Sequence, residues 1–220
     1  MIEKFHNPPE ATPGDFLLYL KSFSMKYKII SLLLVFYSLA NAQHSKFSVE
    51  ASYPLTTGQN FIGQDYNGVL DLGVKYKITT MPLVNLGASV NASLLKYRIE
   101  GGYSPALDAY VGFKTSLYLI QPRVYAEINL KRITKLHPSI GLGYSFFLFK
   151  TNFDSGYFSD ESNNEWGINL NLGLSYDLLS RMYIQAGYDF IKLTQLKDGT
   201  PSTSYHTNAG IIKLGLGIRI

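Results

Sequence analysis

Ser204, His206 and Asp198 are the residues of this chain whose types best suit nucleophilic chemistry. A hydroxyl, an imidazole and a carboxylate can be arranged so that the imidazole takes the hydroxyl proton while the carboxylate orients the ring. Ser204 and His206 lie two apart, which in a strand puts both on one face. A lone serine–histidine pair has little specificity, and polar residues at a loop edge are the plainer reading. Asp154, Asp160, Glu161 and Glu165 are a second candidate, a cluster able to hold a divalent cation. Their spacing follows no calcium-loop pattern, and a solvated acidic loop is the plainer reading there too. The chain has no cysteine, which excludes disulfides, thiolate metal sites and thiol catalysis. Lys and Arg are scattered without runs, so no nucleic-acid partner is indicated, and no cofactor or metal is expected.

The elements that would position these residues follow from composition and period. Charged residues make up 16% of the 220 residues, against about 25% in ordinary soluble domains. Mean hydropathy is only +0.01, too low for a bundle of apolar helices. A membrane barrel reconciles the two, with an apolar outside and a polar inside. The one long apolar run, 29–39, follows Lys26 and Lys28 and precedes Ala40-Asn41-Ala42. A basic start, a short apolar stretch and an A-x-A site read as a secretory signal, 25–42, cleaved between Ala42 and Gln43. Residues 1–24 precede Met25 and look foreign to this layout, so they are read as a mis-assigned extension. The barrel domain is expected over 43–220.

Residues 166–177 alternate strictly, with Trp166, Ile168, Leu170, Leu172, Leu174 and Tyr176 on one face. Period two over that length means a strand, and a tilted one rises about 25 Å, the height of a barrel's apolar band. Aromatic residues at both ends suit the interfacial girdles. The pattern recurs over 46–56, 68–79, 84–98, 114–129, 138–150, 182–192 and 207–220. The expectation is an all-β, eight-stranded antiparallel up-and-down transmembrane barrel. Connections at 57–67, 99–113, 151–165 and 193–206 are long and polar, and those at 80–83, 130–137 and 178–181 are short. Long outer loops and short periplasmic turns fit that asymmetry. It puts His137 and His206 at opposite ends, and it puts Ser204 and His206, in phase with Leu214 and Ile218, near the lipid headgroups. Two features disturb the pattern: the phase slips at Leu95 and Tyr97, and Pro122 falls where odd-numbered apolar residues give way to even ones. A bulge at 119–121 would account for the second.

The polar face decides between a soluble and a membrane barrel. It is built mainly of Gly, Ser and Asn, such as Gly141, Gly143, Asn169 and Asn171. Small side chains suit the interior of an eight-stranded barrel, which has room only for side chains. The same face carries Glu50, Asp71, Lys75, Lys77, Arg123, Glu127, Asp189, Lys213 and Arg219. Mixed signs among glycines indicate an interior network of paired charges rather than solvated surface. Phe61, Tyr66, Tyr103, Tyr157 and Phe158 in the outer loops are aromatic candidates for partner contact.

The signal ending in Ala40-Asn41-Ala42, the strand pair at 138–145 and 166–176, and the ending Lys213 to Ile220 resemble the small bacterial outer-membrane β-barrels. These include OmpA-like transmembrane domains, OmpX-like proteins and PorT-like barrels of Bacteroidetes type. The resemblance covers 43–220 and implies an outer-membrane location, contact with lipopolysaccharide, and the barrel-assembly machinery as partner during biogenesis. Ile220 stands where that family usually ends in an aromatic residue. The resemblance implies a non-catalytic envelope-structural or surface-contact role, with two alternatives. One is a scaffold within a secretion assembly, with an envelope protein as partner, as in PorT-like relatives. The other is lipid A modification, since lipid A deacylase barrels carry an outward His and Ser two apart, in the order opposite to Ser204 and His206.

Overall fold

The computed structural model describes residues 46–104, 109–154, 158–197 and 199–220. The expected signal segment with Ala40, Ala42 and Gln43 lies outside the described residues, as do Tyr157 and Asp198. The strands are β1 (Phe47–Thr57), β2 (Asn67–Thr80), β3 (Val84–Ser104), β4 (Ala109–Ile128), β5 (Leu136–Phe153), β6 (Glu161–Asp177), β7 (Met182–Gln195) and β8 (Asn208–Arg219). Each pairs antiparallel with the next, and β8 returns to β1, closing the barrel. Closure leaves no open edge, so the strands' backbone donors and acceptors are met inside the sheet, as a lipid environment requires.

The burial pattern is that of a globular protein turned inside out. Leu142 is 56% exposed and Val124 64%, while Asp71 and Asp189 are fully buried. In β2–β8 the even-numbered leucines, isoleucines and valines form a continuous outer band and the odd-numbered polar residues fill the lumen, while in β1 the parity is reversed, with Val49 and Leu55 outward and Ser48, Glu50 and Ser52 inward. Two tyrosines of the lumen wall lie across glycines on the facing strand, Tyr125 over Gly87 and Tyr183 over Gly217. A Cβ at either glycine would run into the ring.

Three sequence expectations change. There is no bulge at 119–121: Ile120 pairs with Phe146 and Arg123 with Gly143 in one unbroken register. Only the ladder rungs at Gln121 and Pro122 are absent, and Pro122 has no N–H to give. The irregularities lie elsewhere, at Gly68/Leu70, Lys77/Thr79, Ile99/Gly102 and Trp166/Gly167. Nor does β3 slip phase at Leu95: it runs in register against β4 from Val84 to Ile99, with Leu95 pointing inward. Finally, 99–113 and 151–165 are not simple loops. β3 and β4 continue to Ser104 and Ala109, and β5 and β6 run on to Phe153 and from Glu161, so two hairpins rise beyond the apolar band.

Short helical turns complete the long-loop end. α1 (Phe61–Asp65) is capped by Asn60, whose side chain accepts from Gly63 N–H at 2.8 Å. It presses Ile62, fully buried, into the barrel mouth. α2 (Ser204–Thr207) immediately precedes β8.

Candidate functional site

The lumen has two halves. In the half nearer the short turns, parity places Ser, Asn, Gln and charged residues inward on every strand. At its centre Asp189 receives Arg123 Nη1 at 2.6 Å, Asn171 Nδ2 at 2.6 Å and Lys213 Nζ at 3.1 Å. Lys213 also reaches Asp71 at 2.7 Å and donates to Gln121 at 2.7 Å. Asp71 further accepts from Asn91 at 2.9 Å and Ser93 at 2.5 Å. Arg123 Nη2 donates to Asn91 at 2.6 Å, which joins the two carboxylates into one network.

Towards the short turns, Glu50 accepts from Lys75 and from Tyr183 O–H, each at 2.7 Å. Glu127 accepts from Lys77 and Asn85, each at 3.0 Å. Four carboxylates thus meet four cations among these residues, so the charge of the set is balanced. At the rim Arg219 donates to Asp177 at 2.7 Å and lies 4.7 Å over the Tyr183 ring, while His137 sits 3.1 Å from the same carboxylate. Burial alone would raise the Asp177 carboxyl. Hydrogen bonds from Arg219 and His137 outweigh it and hold the group below the usual carboxylate range. All nine charged residues singled out from the sequence therefore have an opposite charge in reach. Asp177 and His137 fall outside those nine, although Asp177 shares the polar phase of β6.

In the half nearer the long loops the inward residues become apolar. Leu95, Leu117, Leu119, Phe147, Ile191 and Ile211 are all fully buried and meet Ile62 of α1. Above them, Phe61, Tyr66, Tyr97 and Phe149 pack in tilted and edge-on ring contacts at centroid distances of 5.5–6.4 Å. A pocket remains at the mouth between Phe61, Tyr66, Phe149, Glu161, Glu165 and His206. Glu165 is 7% exposed and accepts the Lys197 N–H at 3.2 Å. Burial pushes its carboxyl above the ordinary range, only partly offset by that N–H and by the positive field of His206 and Lys197.

The serine–histidine pair does not share a face. Residues 204–207 turn as a helix, and in a helix residues two apart point in different directions. His206 faces the mouth pocket and lies 6.5 Å from the Phe61 ring, whereas Ser204 lines a separate groove with Thr57, Gly58 and Tyr188. The hydroxyl on His206 Nδ1 is that of Thr203, at 2.9 Å. Three of the four acidic loop residues are likewise taken up individually, Glu165 by the Lys197 N–H. Asp160 accepts from Asn152 at 2.6 Å and from Phe153 N–H at 3.3 Å, and Glu161 pairs with Lys197 at 3.2 Å. No cluster of metal-ligating side chains occurs among the described residues. Of the loop aromatics, Phe61 and Tyr66 turn into the mouth, while Tyr103 and Phe158 stay exposed.

Known proteins share this architecture. The attachment invasion locus protein Ail of Yersinia pestis, solved with the heparin analogue sucrose octasulfate, matches with a TM-score of 0.52 at 15% identity, covering 80% of this chain and 97% of Ail. The outer membrane protein OprG of Pseudomonas aeruginosa matches at TM-score 0.54 and 11% identity, covering 80% of this chain and 96% of OprG. A major outer membrane protein of Thermus thermophilus matches at TM-score 0.54 and 15% identity, covering 81% of this chain and 100% of that one. At such identities the likeness establishes the fold alone. No curated protein matches the chain. The family model for the outer membrane protein beta-barrel domain matches residues 29–219, a range that takes in every strand of the closed barrel. The chain belongs to the outer-membrane protein β-barrel domain family and is an integral protein of the outer membrane.

Proposed function

We propose that the protein is a filled, non-catalytic barrel that works by contact through its outer hairpins. The observation that carries this reading is the mismatch of strand lengths. β3 spans 21 residues and β4 spans 20, where about 9–11 cross a bilayer. The excess forms a hairpin standing in the outer aqueous layer, braced by a lumen packed with ion pairs and apolar side chains. A filled lumen suits a rigid pedestal better than a conduit. Ail, of like fold, is an attachment invasion locus protein.

Reconstitution into planar bilayers tests the filled lumen: the expected record has no unitary conductance steps, and regular steps would overturn the reading. Whole-cell proteolysis tests the hairpin: cleavage between β3 and β4 on intact cells is expected, and protection until the cells are lysed would count against it. A stoichiometric envelope protein recovered in mild detergent would replace free surface contact with the secretion-scaffold role.

A further inference from the structure

The outer wall carries a cluster of cations that the lumen network does not include. On β3, β4 and β5 the outward row Leu94, Tyr118 and Leu148 is in register and closes the apolar band. The next outward row is Lys96, Ser116 and Lys150, and the one after it is Arg98, Lys114 and Asn152. Lys96, Arg98, Lys114 and Lys150 are all exposed. Arg98 and Lys114 are directly opposite one another across the strands, an arrangement of like charges that destabilises a sheet unless an anion lies between them. Among the described residues none of the four forms an ion pair. Lys150 lies 5.9 Å over the Tyr118 ring, so its charge is held just above the girdle. Lys192 on β7 is different: its ammonium is taken up by Thr207 at 2.7 Å and Asn208 at 3.0 Å.

From this placement we infer that β3–β5 form a docking face for the phosphate groups of an outer-leaflet glycolipid. Its acyl chains would lie on the apolar band below and its phosphates on the four cations. Successive rows are separated by about 7 Å along the strand, so two phosphates of one headgroup fall within the cluster's reach. Arg98 offers the planar fork that binds phosphate oxygens in pairs, and the lysines act as point charges beside it.

The test uses the intact barrel purified in mild detergent, with bis-phosphorylated lipid A titrated in and complexes counted by native mass spectrometry. The expected result is one tightly retained lipid. Each of Lys96→Gln, Arg98→Gln, Lys114→Gln and Lys150→Gln weakens retention about five-fold, and the quadruple variant at least about a hundred-fold. Lys192→Gln leaves it unchanged, and lipid A stripped of both phosphates is not retained by the wild type. Equal retention by wild type and quadruple variant overturns the inference. So does displacement of the lipid by millimolar inorganic phosphate, which would make the free ion the ligand. The heat-dependent gel shift reports folding. If the quadruple variant loses that shift, the four single variants decide, and flat retention across them overturns the inference.

Discussion

The two halves of the lumen use the same strands, the same inward parity and opposite chemistry. Towards the short turns, inward positions hold Asp71, Arg123, Asp189 and Lys213, and every charge has a partner. Towards the long loops they hold Leu95, Leu119, Phe147 and Ile191, with Ile62 as a stopper. The apolar half excludes water by close packing, and its strength lies in dispersion and burial. The polar half depends on complete pairing, because a buried charge without its partner is far worse than no charge at all. Inwardness in this barrel is thus set by parity, not polarity, and the two halves should fail differently when one side chain is removed.

The largest effect is expected in the polar half. Asp189→Ala strips Arg123 of its carboxylate and Lys213 of one of two, leaving buried positive charge uncompensated. Unfolding in urea, followed by the gel shift, should show a loss of about 3–5 kcal/mol. In the apolar half, Leu119→Ala only opens a cavity beside Phe147 and Leu117, and about 3 kcal/mol is expected by the same assay. The comparison sharpens with a double variant: adding Arg123→Met to Asp189→Ala should recover stability relative to Asp189→Ala alone. Without that recovery, the polar half would not be governed by charge pairing.

How far the sequence reveals each half follows from the same contrast. Where lumen residues are polar and lipid-facing residues apolar, alternation stands out, and Trp166 to Tyr176 shows the strand, its length and its inward face. Glu50, Asp71 and the other charges can be picked out because they lie among glycines and serines. Where both faces are apolar the period disappears. Leu95 and Tyr97 then look like a slip, and Leu117 and Leu119 look like the flank of a bulge, although the backbone register continues straight through. Local polar composition hides the rest. Glu100, Gly101 and Gly102 read as loop, yet β3 runs through them. The four-residue turn at Ser204–Thr207 is too short to leave a helical period, so its two-residue spacing reads as a shared strand face.

At the mouth, the apolar half meets water through one misfit carboxylate. Glu165 is buried at the mouth, which raises its affinity for a proton. A raised carboxyl binds its proton more tightly folded than unfolded, so ionising it works against the fold. Glu165→Gln should therefore stabilise the barrel at about pH 7–8 and have no effect near about pH 3, where the carboxyl is neutral both folded and unfolded. The amide oxygen still accepts from Lys197 N–H, so the hydrogen bond is not the variable. Urea midpoints at the two pH values check this, and a destabilised Glu165→Gln at neutral pH would mean that the charge supports the mouth.

The smallest effect belongs to the rim of the polar half, where Asp177 holds Arg219 and His137. Here the carboxyl is depressed, so the sign reverses. Its contribution is complete above its unfolded value near about pH 4 and is lost as pH falls through the lower folded value. The site is partly open to solvent, which limits the effect to less than about 1 kcal/mol. Asp177→Asn should therefore lower the urea midpoint slightly at about pH 6–7 and coincide with wild type at about pH 2, flattening the acid limb of the stability profile. His137→Gln should reproduce only part of that change, because Arg219 keeps its 2.7 Å hold on the carboxylate. If His137→Gln flattened the limb as fully as Asp177→Asn, the imidazole rather than the guanidinium would be the partner that secures this end of the barrel.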